Sequence, residues 1–350
     1  RQYIHGTSSS LIPYSNSASG APVGYGCVSE ELWDTTFKGT TSYYFNNEAD
    51  EINPEYLSII PNIPLLSHTN NGLLTAKYYI DNSKRILRQE EYTYSNVELR
   101  AITGLKMFAP PMENQHFGLY YYNIPSEWWK LDSQTVTEYH GNKKHSKTTD
   151  YLYNNVNYLP SCIQKRNSDG RLSIHNITYA NSSSIGILGK MQTAHMFNIP
   201  IEETESINTS IVSRKIHTYK EEQNRILLQD LSVAKGNTTP QLRIKYLNYD
   251  CYGNIAYYIK DNIEHVVYLW GYNGQYPIAK IENATYSAVQ TALSGVTPDA
   301  LAKQPHPNMD QVNALRTALP KALIHTYTYR PHVGIIAETC LLYTSDAADE

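Results

Sequence analysis

At 350 residues the chain can hold two or three ordinary domains or one repeat array, and 41% hydrophobic with 18% charged residues exclude a disordered chain. The formal charge of −4 leaves no basic footprint for nucleic acid, and the clusters "KRIL", "NKKHSK" and "QKRNSD" are small and scattered. No run approaches the ~20 apolar residues of a membrane-spanning helix, so neither a nucleic-acid partner nor a membrane span is expected.

The chain carries 31 Tyr against 5 Phe and 4 Trp. Tyrosine in this excess suits strands with one face buried and the phenol hydroxyl within reach of water or another polar group. The composition therefore predicts mainly β-structure with one face of the sheet solvated.

In chain order, residues 1–22, with "HGTSSSLIPYSNSASGAP", read as a Ser-rich linker. Residues 23–147 read as a β-rich region: "GTTSYYFNN", "LLTAKYYIDN" and "RQEEYTYS" predict strands, "NEADEINPEYLSIIPNIPLLSH" an irregular insertion, and "MFAPPMENQ" a loop at Pro110 and Pro111. Within this region Tyr120, Tyr121, Tyr122, Trp128 and Trp129 are candidates for a platform that stacks sugar rings, which would make the chain a carbohydrate- or cell-surface-binding module. The competing reading is aromatic cover for one side of a sheet.

Residues 148–284 carry a recurring form. "YNNVNYL", "RNSDGRL", "YDCYGNI" and "YNGQYPI" each place Asp or Asn before a short turn and an apolar residue after it; "IDNSKRI" lacks the glycine and "YKEEQNRI" is one residue longer. Asp or Asn folds its side chain onto amides two residues ahead, and glycine supplies the positive φ that closes the turn. The expected turn residues are Asn154, Asn167, Gly170, Tyr249, Asp250, Gly253 and Asn254, followed by the Trp270, Gly271, Tyr272, Asn273, Gly274 run. A lone hairpin cannot bury its apolar face, so such units are expected to adjoin in a continuous sheet.

Residues 285–320 predict a small helical insertion. Thr285 caps a helix ending near Gly295, Thr297 caps another with Pro298 in its first turn, and Val312, Leu315 and Leu319 share a face before Pro320. Residues 321–339 return to strand and begin a further repeat.

Together "YLNYDCYGNI", "YLWGYNGQYPIAKIENATY" and "HTYTYRPHVGI" resemble the RHS/YD-repeat proteins of bacteria, from about Asp150 to Thr339 and more weakly back to Val23. The resemblance implies irregular hairpin repeats that form a continuous curved sheet or part of a β-shell. It also implies a non-catalytic scaffold in a large exported protein, extracellular or at the cell surface, housing or presenting a C-terminal effector or toxin. The partners are then the remainder of its own chain and, in the binding-module reading, surface polysaccharide. Only Tyr249–Asp250 is a literal Tyr-Asp pair. Residues 340–350, "CLLYTSDAADE", look like translated sequencing adapter; without Asp346, Asp349 and Glu350 the formal charge moves from −4 to −1.

No catalytic, cofactor or metal residues are expected. Cys27, Cys162 and Cys251 are too dispersed for a zinc set, His140, His145 and His306 read as loop residues, and no GxSxG, P-loop or HExxH occurs.

Overall fold

The computed structural model describes residues 24–48, 51–52, 64–65, 69–108, 118–330 and 332–340. The Ser-rich linker, the Pro110–Pro111 loop, most of the irregular insertion and nearly all of the adapter-like tail lie outside them. The fold is mainly β, as composition predicts, and its strand pairs are antiparallel.

Two compact units are present. The first comprises the described residues up to Leu152 together with Cys162–Ser173; the second comprises Tyr153–Ser161 and everything from Ile174 onward.

In the first unit, β1 (Cys27–Trp33) pairs with β2 (Phe37–Phe45), and β3 (Glu51–Ile52) pairs with β4 (Pro64–Leu65) as a separate ribbon. β5 (Leu74–Asp81) pairs with β2 and with β6 (Ile86–Phe108). β6 and β7 (Gly118–His140) run as a long antiparallel pair, and β7 continues into β8 (Lys143–Tyr153) through Gly141–Asn142. β9 (Pro160–Arg166) and β10 (Leu172–Tyr179) follow, and β10 passes into the second unit at Ile174.

The second unit then carries α1 (Gly186–Thr193), whose Met191 is fully buried. A meander of neighbouring strands follows: β11 (Pro200–Ile207), β12 (Ser210–Glu222), β13 (Arg225–Lys235), β14 (Gln241–Tyr249), β15 (Ile255–Lys260), β16 (Glu264–Gly271) and β17 (Tyr276–Glu282). Four short helices, α2 (Tyr286–Ala292), α3 (Pro298–Ala302), α4 (Met309–Asn313) and α5 (Leu315–Ala318), separate β17 from β18 (Leu323–Arg330), which pairs back onto β17 and then with β19 (Gly334–Thr339).

The helix ends follow the sequence. The Thr285 hydroxyl accepts from the Ala288 amide at 3.3 Å and the Thr297 hydroxyl from the Ala300 amide at 3.1 Å, each satisfying a first-turn N–H. Gly295 takes the left-handed conformation, φ 95°, just past the first helix. The third expected helix is two short pieces that meet at Ala314, with Val312 and Leu315 buried together and Leu319 half-buried against them.

These helices seal the core. Val267, Leu269, Ile281 and Ile324 project from one face of β16–β18 into Val289, Leu293, Leu301, Val312 and Leu315. Here the expectation of one solvated face is corrected: Val266 and Val267 are consecutive on β16 and both are buried. One sheet face lies under helices, while the other carries the cross-strand tyrosines Tyr246, Tyr258 and Tyr268, with ring centroids 5.8 and 6.3 Å apart. The phenol bodies take the place that water would have had.

Candidate functional site

The repeated turns have one shared construction. At Asp81–Arg85, Asn167–Arg171 and Asp250–Asn254 the first residue's amide donates to the fifth residue's carbonyl, at 2.9, 3.0 and 2.9 Å. The fourth residue's amide donates back to the first carbonyl, at 3.0 Å each time. The fourth residue is left-handed in all three, Lys84 at φ 62°, Gly170 at 82° and Gly253 at 92°. This is the three-residue hairpin loop, a type I turn closed by a bulge residue at positive φ.

Side chains lock the loops. Asp81 Oδ1 accepts from the Ser83 and Arg85 amides at 2.8 and 2.9 Å, and Asp250 Oδ1 from the Tyr252 and Asn254 amides at 2.9 and 2.8 Å. At Asn167 the fifth amide goes instead to Asp169 Oδ1, 3.0 Å away. The Arg85 and Arg171 amides and guanidinium groups hold the Asp81 and Asp169 carboxyls below the usual carboxylate range, with the backbone bond the larger cause. Lys84 bears a side chain where the loop favours glycine, so Lys84→Gly is expected to raise stability by about 0.5–1 kcal/mol in urea denaturation.

Not every sequence match is this turn. Asn154 accepts from the Val156 amide at 2.9 Å and leads a loop one residue longer, with Tyr158 left-handed at φ 58°. "YKEEQNRI" is a two-residue loop, Glu222 opposite Arg225, with Gln223 and Asn224 both at positive φ. "YNGQYPI" places Tyr272, Asn273 and Gly274 at φ 52°, 58° and 74°. A Cβ on Gly274 would collide with the Tyr252 ring, and one on Gly271 would lie 2.9 Å from Ile278 and Pro307.

Successive loops of the second unit are stitched to each other. Arg225 donates to the Cys251 carbonyl at 2.9 Å, Asn254 Nδ2 to the Gly274 carbonyl at 2.8 Å, and the Gly274 amide to the Ala302 carbonyl at 2.8 Å. The Cys251 amide donates to Asp299 Oδ1 at 2.9 Å, tying the Asp250 loop to α3. Asp250 is only 2% exposed at the centre of this spine. Trp270 Nε1 donates to the Ile255 carbonyl at 2.9 Å, which fixes its indole across the hairpin.

A second recurrence involves tyrosine and is not legible as a turn. Four tyrosine hydroxyls each donate to a backbone carbonyl about twenty residues earlier: Tyr94 to Leu74 at 2.9 Å, Tyr179 to Pro160 at 2.8 Å, Tyr219 to Pro200 at 3.2 Å, and Tyr249 to Leu228. Leu74, Pro160 and Pro200 are the first residues of β5, β9 and β11, and the tyrosines stand on β6, β10 and β12. Each hydroxyl therefore closes the open end of a hairpin opposite its turn, or, for Tyr249, reaches into β13 from the end of β14. Burial pushes the Tyr219 phenol up to about 12 and raises Tyr94, Tyr179 and Tyr249 in the same direction, so all four stay neutral donors. Phenylalanine could not do this, which accounts for part of the tyrosine excess.

Strand geometry divides the expected aromatic platform. Trp128 and Trp129 are consecutive on β7, opposite Val97 and Asn96 without a register shift between them, so they point to opposite faces. Trp129 Nε1 donates to Thr69 Oγ1 at 2.8 Å, and that hydroxyl donates to Glu127. Tyr121 is exposed and eight residues from Trp129, roughly 26 Å along a strand. The side chains of Tyr120 and Tyr122 lie outside the described residues. Trp128 and Trp129 therefore do not share one face of β7.

Titratable groups offer little convergence. Among the described residues no group of three or more His, Cys, Asp or Glu side chains is placed to hold a metal ion. His140 and His145 are exposed, with ring centroids 6.1 Å apart, and His306 is exposed. Cys340 Sγ is 3.6 Å from His325 Nε2, and His325 Nδ1 is 3.8 Å from Glu338 on the exposed strand β19. Among the described residues no helix is long and apolar enough to cross a membrane.

No protein family matches this chain, and no curated protein matches it. Among solved structures it is similar, at 11% identity, to a chain of the Photorhabdus luminescens Tc holotoxin pore, over 87% of this chain and 14% of that one, with a TM-score of 0.25. The chain thus spans 14% of that neighbour's length.

Proposed function

We propose that this chain is a non-catalytic scaffold segment of a large exported protein of the RHS/YD-repeat kind, extracellular or at the cell surface. Its hairpins serve as wall, housing or presenting an effector carried elsewhere in the same protein. The observation that carries the reading is the double stitching of the hairpins, an Asp-type loop at one end and a tyrosine clamp at the other. Such stitching propagates from hairpin to hairpin and gathers no reactive side chains into one cleft. The array's main partner is further chain of its own kind, because each hairpin supplies the edge on which another pairs.

Limited proteolysis of the product of the intact gene tests this. The hairpin array should survive as a resistant core, and the region it houses should become cleavable only when the array is unfolded. Cleavage of that region at the rate of free polypeptide, with the array still folded, would contradict the proposal.

A further inference from the structure

We propose that a polar cleft in the first unit binds a sugar unit bearing a single carboxylate, of the uronic-acid class. The cleft holds about 630 Å³, within the range of small-ligand sites. Its floor is one face of β6–β8. Arg88, Glu138 and His145 stand directly opposite one another across the three strands. Val136 faces Lys147, and Gln134 faces Thr149, at two-residue steps that keep them on that same face. The Asn167–Arg171 loop forms the wall, and every lining residue belongs to this unit.

The uncommitted charge chooses the ligand. Arg88 is held by Glu90 at 2.8 Å and Arg171 by Asp169 at 2.7 Å. Lys147 stands on the cleft floor, and among the described residues its ammonium makes no ion pair and no hydrogen bond. The cleft therefore offers one free ammonium, which suits a singly charged carboxylate. A phosphate is best held by a guanidinium fork, and both forks here are already closed on carboxylates. It would also meet the negative charges of Glu138 and Asp169. No Phe, Tyr or Trp is among the described lining residues, so a nucleobase has no ring to stack on.

The other lining groups match hydroxyls. The Thr149 hydroxyl, the Asn167 side-chain amide and the Ser168 hydroxyl have no bonding partner among the described residues. Glu138 lies 3.8 Å from Arg88 and keeps acceptor capacity for a ligand hydroxyl. Val136 gives the floor an apolar spot on which the C–H face of a sugar ring can rest. The cleft uses β7 at residues 134–138, beyond Trp129, and so needs none of the aromatics at 120–129. Sequence spacing could not show it, because Arg88, Lys147 and Asn167 are brought together only by strand pairing and the return of a loop.

The test is isothermal titration of the full chain with glucuronate, galacturonate and mannuronate tetramers, and with their carboxyl-reduced counterparts. Saturable binding of at least one acidic tetramer is expected, and its reduced counterpart should bind at least about tenfold more weakly. Lys147→Gln should cause the same loss and Thr149→Val a smaller one. Lys144→Gln, on the opposite face of β8, should bind as the parent does. Absence of saturable binding by every acidic tetramer overturns the proposal whatever the variants do, and so does equal binding of the reduced sugars. Equal losses in Lys147→Gln and Lys144→Gln would also overturn it, as the mark of diffuse surface charge. Full competition by acetate would do the same, as the mark of a carboxylate site that does not recognise sugar.

Discussion

Leu269→Ala is expected to lower the stability of the second unit by about 3–4 kcal/mol. Leu269 is fully buried on β16, paired with Ala279 across the sheet and covered by the helices. Removing three carbons there leaves a cavity between a hydrogen-bonded sheet and four short helices. The sheet cannot collapse inward, and the helices are held by their own caps at Thr285 and Thr297. The cavity therefore persists, and its cost adds to the lost transfer energy. Urea denaturation followed by tryptophan fluorescence measures it, since Trp270 lies next along the strand. A loss below about 1 kcal/mol would mean that the helices do not seal this face.

Asp250→Ala is expected to cost about 2–4 kcal/mol, because it strands several partners at once. The Tyr252 and Asn254 amides lose their acceptor, and Asn254 Nδ2 loses the second carboxylate oxygen 3.0 Å away. The loop is also the middle link of the turn spine, through Arg225 on one side and Gly274 on the other. Asp81→Ala removes the same two amide contacts from an exposed loop where water replaces them, and about 1 kcal/mol is expected. The comparison separates the turn chemistry from its burial. Equal losses at the two sites would show that the spine adds nothing.

The sequence contains the local part of this architecture and conceals the non-local part. Asp250, Gly170 and Gly253 can be read because an Asx-type loop closes within five residues. Thr285 and Thr297 can be read because a cap acts on the first helical turn. The tyrosine clamps cannot, since Tyr219 and Pro200 are 19 residues apart and no local rule links a hydroxyl to a distant carbonyl. The α1 helix lacks a side-chain cap and starts at a glycine with φ 63°, so it carries no start signal inside a region of strands. Alternation of Ile255, Tyr257 and Ile259 suggests one wet face, yet Ala256 and Tyr257 are both buried, because covering elements decide burial on each side. The Trp128–Trp129 pair attracts a binding reading through composition alone, and strand geometry divides it.

Tyrosine hydroxyls and Asp-type loops together stitch the hairpins into an array. The most direct measurement of that stitching is the urea stability of Tyr219→Phe and Tyr249→Phe against Tyr25→Phe and Tyr121→Phe, whose rings are exposed. Each clamp variant leaves a carbonyl without its donor and is expected to lose about 1–2 kcal/mol, while each control stays within about 0.5 kcal/mol of the parent. Clamp variants as stable as the controls would contradict the stitching.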